Sequence, residues 1–190
     1  MRLILASASP RRRDLLARIG VEVAAIDPAE IDETPLPRER PADYARRIAA
    51  AKAAVVAPRH PGAIILAADT VVAAGRRILP KAADAAEVRA CMTLLAGRRH
   101  HVLSAVTVID PAGVARHRLS DSVVAFGPLT ESAIQAYAES GEGVGKAGGY
   151  AIQGRAEAFV RYLSGSHSGV IGLPLFETRA LLKSAGIPLG

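Results

Sequence analysis

Apolar residues fall into short unbroken runs of strand length and longer stretches with helical spacing. Leu3 to Ala6 is the first run and predicts a short buried strand. A polar elbow, Ser7-Ala8-Ser9-Pro10, follows, and Arg11-Arg12-Arg13 then open an amphipathic helix that runs to Gly20. Val21 to Val23, with Ala25-Ile26, reads as a second strand. Asp27 to Pro41 is Pro-rich and charged, and it predicts a loop forming a flexible rim. Asp43 to Val56 has helical spacing, with Tyr44, Ile48, Ala51 and Val55 on one face, Lys52 beside that stripe, and Pro58 as the stop. Ala63 to Ala68 is a continuous apolar run that suits a strand buried on both faces. It leads into Asp69-Thr70 and then Val71-Val72, which places Asp69 at a strand end. Gly75-Arg76 predicts a hairpin turn returning through Ile78-Leu79 to Lys81.

In the second half, Asp84 to Leu95 predicts a helix capped by Asp84 and stopped by Gly97. His101 to Ile109 and Val114 to Phe126 alternate and read as long strands joined at Asp110-Pro111-Ala112-Gly113. Thr130 to Ala138 is a capped helix. A Gly-rich segment, Gly141 to Gly154, carries Lys, Tyr and Gln among apolar residues and so differs from an ordinary flexible linker. Phe159 to Leu163 predicts a strand, Gly165 to Gly172 a tight turn, and Pro174 to Ala185 a closing helix with Pro in its first turn. Without a repeat, low-complexity tract or linker, residues 1–190 are expected to form a single domain.

Composition narrows the class. Half the residues are hydrophobic but only 4% aromatic, so the core must be built from Ala, Val, Leu and Ile. No apolar run reaches the roughly 20 residues of a membrane span, and the N-terminus lacks the pattern of a signal peptide. The single cysteine, Cys91, fits a reducing compartment, and a cytoplasmic protein without membrane contact is the expectation. A net charge of +6 raises the question of nucleic acid. The basic residues are scattered, however, and aromatics for a base-stacking platform are scarce, which makes nucleic acid the lesser reading. The composition allows a homodimer.

Chemistry concentrates in a few places. Cations sit poorly at the positive end of a helix dipole, so the arginines after the elbow point to an anionic ligand. Ser7, Arg11 and Arg12 offer phosphate contacts, and Lys52 and Lys81 offer compact positive charge. Asp69 would be costly to bury without a partner or a metal. Glu33 and Asp69 could serve a divalent ion or activate water. With no Ser/His/Asp pattern and no Walker-type loop, the set suits metal-assisted hydrolysis of a phosphate ester or anhydride.

LASASPRRRDLL, LAADTVV with downstream Lys81, KAGGYAIQG and GVIGLPLFET occur in that order and together resemble the Maf nucleoside triphosphate pyrophosphatases over essentially the whole chain. The resemblance implies an α/β fold similar to inosine triphosphate pyrophosphatase: an elongated mixed central sheet with flanking helices, in two lobes around a cleft. It also implies hydrolysis of a nucleoside triphosphate to the monophosphate and pyrophosphate with a divalent cation, magnesium or manganese, held by Asp69 and Glu33. By the same resemblance Asp69 is the proton acceptor for the attacking water, and Glu33, Lys52 and Lys81 are cleft residues. Specificity in the family is associated with the positions of Arg11, Thr70 and Gln153, and this combination is similar to the subgroup acting on dTTP and UTP. The subgroup acting on 7-methyl-GTP has Trp, Gln and Glu there instead. An amide such as Gln153 both donates to and accepts from a pyrimidine edge.

Pro80-Lys81-Ala82 departs from the family's usual Gly-Lys-Pro, and Pro80 could reshape the hairpin and displace Lys81. The resemblance further implies a link to septum formation and division arrest. The alternatives are therefore a 7-methyl-GTP pyrophosphatase or a regulator that binds nucleotide or nucleic acid without catalysis.

Overall fold

A computed structural model describes residues 1–189. Its frame is a mixed seven-stranded sheet in the order β2-β1-β3-β5-β6-β7, with β4 also on β3. The strands are β1 (Leu3–Leu5), β2 (Ala25–Ile26), β3 (Ile64–Ala74), β4 (Arg77–Leu79), β5 (Arg99–Ile109), β6 (Ala115–Phe126) and β7 (Val160–Ser164). The helices are α1 (Pro10–Arg18), α2 (Pro41–Val56), α3 (Ala85–Leu95), α4 (Glu131–Glu139), α5 (His167–Ile171) and α6 (Leu175–Ser184). β1 is parallel to β2 and β3, and every other pairing is antiparallel.

Side-chain alternation on β3 and β5 divides the core in two. Ile65, Ala67, Val71 and Ala73 face α2, where they meet Tyr44, Ala45, Ile48, Ala49, Ala53 and Val56. Ile64, Leu66, Ala68 and Val72 face the opposite way, into the larger core with Leu15 and Leu16 of α1, Met92 of α3 and Leu182 of α6. The α2 layer is rich in alanine on both sides, which allows a helix to approach the sheet closely. Among the described residues, no helix is long and apolar enough to cross a membrane.

Several sequence expectations shift. β2 covers Ala25–Ile26 only, without Val21 to Val23. The buried face of α2 is rotated from the expected one: Val55 is exposed, while Lys52 lies on the buried side with Ala49, Ala53 and Val56. The stripe was displaced because a lysine occupies the inward position. Gly165 to Gly172 forms the short helix α5, capped by the Ser166 hydroxyl accepting from the Gly169 amide. The loop from Asp27 to Pro41 is fastened to α2: Arg47 makes bonds of 2.7 Å to both Glu39 carboxylate oxygens, and the Tyr44 hydroxyl donates to the Glu33 carbonyl at 2.8 Å. Asp84 and Thr130 cap α3 and α4 as expected, accepting from the amides of Glu87 and Ala133.

One core residue sets an acid limit. His100 is 1% exposed, packed edge-on against Phe126 and Tyr150, with Nε2 2.8 Å from the Tyr150 hydroxyl. Burial, helped by neighbouring His101, holds its pKa down at about 4, against an ordinary 6.5. The unfolded chain therefore binds a proton in this window that the folded one refuses. His100 alone should cost about 3 kcal/mol of stability as pH falls from about 6.5 to 4. Urea unfolding across that range checks it: His100→Gln should flatten the slope between those limits, and an unchanged slope would remove His100 as its cause.

Candidate active site

β3 is paired with β5 along one edge from Ile65 to Ala73. Its other edge is paired with β1 only as far as Leu66 and with β4 only from Val72. Between those partners the edge is open, and Asp69 and Thr70 lie in the gap. Asp69 is therefore in the middle of an 11-residue strand and not at a strand end. The polar pair resembles a strand terminus in sequence because only one edge of β3 is interrupted. β1 ends here and its chain turns into the elbow, so the cleft opens where the two strands part.

Asp69 faces α2, by the alternation that turns Ala67 and Val71 the same way, and is 3% exposed. Lys52 reaches it from the helix: Nζ lies 2.9 Å from Asp69 Oδ1 and 2.8 Å from Glu33 Oε1. Glu33 Oε2 in turn accepts from Lys81 Nζ at 2.7 Å. The result is a ladder of alternating charge, Lys81–Glu33–Lys52–Asp69, from the cleft rim to its buried floor. It occupies the seam between the two apolar clusters under α2. Burial pushes the Glu33 carboxyl up, but hydrogen bonds and charge from Lys52 and Lys81 together outweigh it and hold the pKa at about 2. Glu33 is thus a carboxylate at any physiological pH. Lys81 joins the ladder despite Pro80, whose carbonyl accepts from the Gly148 amide at 2.9 Å while Lys81 bridges Ala147. Asp32, the neighbour of Glu33, has turned away to accept from the Thr34 amide at 2.8 Å.

The facing wall is the elbow. Ser7 Oγ accepts from the Ser9 amide at 3.2 Å and from Arg12 Nη1 at 2.8 Å, and Arg12 Nε donates to the Gly172 carbonyl at 2.9 Å. Arg12 is thereby fixed in direction. Its pKa is lowered by burial, and the Asp69 and Glu33 charges oppose that. Arg11 also borders the cleft, with a buried Nε that has no hydrogen-bond partner. Arg13 points outward and lies 3.8 Å from Asp14 on the surface. Thr70 faces away from Asp69; its hydroxyl meets Ser104 Oγ at 2.9 Å and the Gly172 carbonyl at 3.3 Å.

The Gly-rich segment closes the third side. Gly145 donates to Ala82, Ala82 to Lys146, and Gly148 to Pro80, stitching the segment to the chain after β4. Gly148 has φ +67°, and a Cβ there would lie 2.7 Å from Val72. Gly148→Ala should therefore cost roughly 2 kcal/mol or more and displace the segment, lowering activity together with the melting temperature. A variant with unchanged melting and activity would contradict the close packing.

All nine residues singled out in the sequence (Ser7, Arg11, Arg12, Glu33, Lys52, Asp69, Thr70, Lys81 and Gln153) line one cleft of about 890 Å³. Sequence reasoning missed Lys146 and Glu142, which line it too. A lysine set among glycines beside Gln153 was the available signal for the first. The lining side chains include five cations (Arg11, Arg12, Lys52, Lys81 and Lys146) against three carboxylates (Glu33, Asp69 and Glu142), a balance suited to a polyanion.

Among the described residues, no group of three or more His, Cys, Asp or Glu side chains could hold a metal by itself. Magnesium characteristically takes one or two carboxylates and completes its shell with water and substrate phosphates. Glu33 and Asp69 are each bonded to Lys52, so a divalent ion there would use the lone pairs that the lysines leave and complete its shell with water and substrate phosphates.

Comparison with known proteins agrees with this chemistry. Residues 2–185 match the family described as Maf-like protein. A dTTP/UTP pyrophosphatase of Sphingopyxis alaskensis is 63% identical over 188 residues, covering 99% of this chain and 98% of that protein. Proteins of the same name from Novosphingobium aromaticivorans and Rhodospirillum rubrum are 57% and 59% identical, each over 97% of this chain and over 92% and 88% of their own lengths. Among solved structures, a nucleoside-triphosphatase / dITP/XTP pyrophosphatase of Mycobacterium abscessus aligns with TM-score 0.45 and 21% identity, over 68% of this chain and 76% of that one. A likeness at that level carries no argument about function.

Proposed function

The chain belongs to the Maf family, and from that premise we propose that it hydrolyses nucleoside triphosphates, dTTP and UTP foremost, to the monophosphate and pyrophosphate. The observation that carries the reading is the Lys81–Glu33–Lys52–Asp69 ladder set across one cleft from Arg11 and Arg12. The names of the relatives support the same choice of substrate.

Asp69 is the general base. Its Oδ1 is engaged by Lys52, while Oδ2 has no donor among the described residues and is free to accept a proton from water. Water attacks the α-phosphorus, the bond from that phosphorus to the α,β-bridging oxygen breaks, the water proton passes to Asp69, and pyrophosphate leaves. Lys52 holds the carboxylate in place. Arg12, aimed by Ser7 and Gly172, offers its charge to the phosphoryl oxygens. Lys52 and Lys81 can turn from Glu33 to the incoming phosphates, exchanging one anion for another at little cost. Catalysis is then mostly positioning and charge stabilisation.

Glu33 and Asp69 would hold a divalent cation, magnesium or manganese, which would supply charge neutralisation at the phosphoryl group when bound. Gln153 and Arg11 border the cleft where a base and its phosphates must lie together, and Gln153 has the donor and acceptor pair that a pyrimidine edge requires. Thr70 contributes by fixing the Gly172 wall through its hydroxyl, since that hydroxyl is already committed to Ser104 and Gly172. A cytoplasmic setting, where nucleotide pools turn over, suits this activity.

A substrate panel tests the reading: dTTP, UTP, 7-methyl-GTP and the purine triphosphates, with magnesium or manganese, scored for pyrophosphate release. The two pyrimidine triphosphates should lead. Pyrophosphate from 7-methyl-GTP alone would overturn the assigned specificity, and none from any substrate would overturn the activity.

A further inference from the structure

The five cations of the cleft are not equivalent. Lys52 and Lys81 each lie within 2.9 Å of a carboxylate. Arg12 is committed to Ser7 and the Gly172 carbonyl. Arg11 has a buried Nε with no partner. Among the described residues, Lys146 has one long bond, from Nζ to the Val144 carbonyl at 3.3 Å, and no ion pair. The cleft carboxylate that acts on it electrostatically, Glu142, accepts from the Tyr137 hydroxyl at 3.2 Å and the Arg155 amide at 3.1 Å. The two unpaired cations stand close enough that Arg11 and Glu142 both act on Lys146 electrostatically, Arg11 more strongly, while burial lowers its pKa first of all.

Two positive groups held near each other in a partly enclosed site repel unless an anion lies between them. Neither is free to drift away. Arg11 is anchored in the first turn of α1, and Lys146 is on a segment stitched by backbone hydrogen bonds at Gly145, Lys146 and Gly148 to residues 80–82. The two therefore belong to different walls and approach from different elements.

We infer that Arg11 and Lys146 form a two-cation clamp for the terminal phosphates of the substrate, the part that departs as pyrophosphate. The inference rests on the proposed activity for the identity of its ligand and extends it to a residue that the sequence reading left out. The ladder lysines can meet phosphate only by releasing a carboxylate, whereas Arg11 and Lys146 have no such bond to break. The leaving group thus has its own site, separate from the carboxylates that act on water. The planar guanidinium of Arg11 suits two oxygens of one phosphate, and the Lys146 ammonium acts as a point charge.

Calorimetric titration of the full chain with inorganic pyrophosphate, and separately with dTMP, tests the clamp in the presence of magnesium. Lys146→Gln should weaken pyrophosphate binding roughly 10- to 100-fold, the value of a charge-assisted hydrogen bond. It should change dTMP binding less than about twofold, and Lys146→Arg should retain most of the pyrophosphate affinity by keeping the charge. Circular dichroism and thermal melting of both variants should match the parent. Failure of the parent to bind pyrophosphate, a Lys146→Gln affinity within twofold of the parent, or an equal loss for dTMP would overturn the clamp. Since titration involves no turnover, a protein that binds pyrophosphate through Lys146 yet hydrolyses no triphosphate would contradict the activity and leave the clamp standing.

Discussion

Asp69→Asn should leave a folded protein whose turnover of dTTP and UTP is lower by roughly 1000-fold or more, within the range expected for loss of a general base. The amide is nearly isosteric with the carboxylate, and its oxygen can still accept from Lys52 at the 2.9 Å position of Oδ1. Lys52 also keeps Glu33 at 2.8 Å as a counter-ion, so no buried charge is stranded. What disappears is the basic oxygen that takes the water proton. Steady-state kinetics with a thermal melt on the same preparation measures both halves of the expectation. Activity within tenfold of the parent would remove Asp69 from the role of base. A collapse in melting temperature would mean that its charge is structural.

Lys52→Met should give the largest loss of stability in the cleft, about 3–5 kcal/mol, because it leaves a buried carboxylate unpaired. Glu33 keeps Lys81, but among the described residues Asp69 has no second cation within bonding distance, and it is 3% exposed. For a chain of this size the change corresponds to a drop in melting temperature of about 10 °C. The sign with pH is distinctive: the cost is that of burying an unpaired negative charge, so the deficit should shrink as the medium is acidified. Combining Lys52→Met with Asp69→Asn should recover much of the stability, because the stranded charge is then gone. Urea unfolding of the two single variants and the double variant measures the coupling. Simple additivity would show that the ladder is not an energetic unit.

The features that could be read from the sequence are those with local causes. Asp84 and Thr130 cap their helices because the side chain and amide involved are three residues apart. The hairpin between β3 and β4 follows from the Gly75-Arg76 turn, and it returns Lys81 to the cleft, where its partner is Glu33. The features that were misplaced depend on distant partners. Asp69 looked like a strand terminus, but β5 continues to pair past it while β1 does not. Val55 looked like core, and Lys52 took the inward place because two carboxylates from other elements wait there. Lys146 passed unnoticed because its significance is an unpaired charge, visible only once the partners of every other cation are known.

Glu33 illustrates the same point. Its neighbour in sequence, Asp32, is also a carboxylate. In the folded chain Asp32 closes a turn, and the partner of Glu33 is Asp69, joined to it through Lys52. The candidate metal pair is therefore formed by tertiary structure, with one member from the loop before α2 and the other from the middle of β3.

The position of attack by water separates this mechanism most directly from any other hydrolysis in the same cleft. A single turnover of UTP in water enriched in heavy oxygen, followed by mass spectrometry of both products, locates it. Heavy oxygen in UMP with unlabelled pyrophosphate is the expected result, since Asp69 is proposed to activate water against the α-phosphorus. Heavy oxygen in pyrophosphate, or release of UDP and inorganic phosphate, would contradict it.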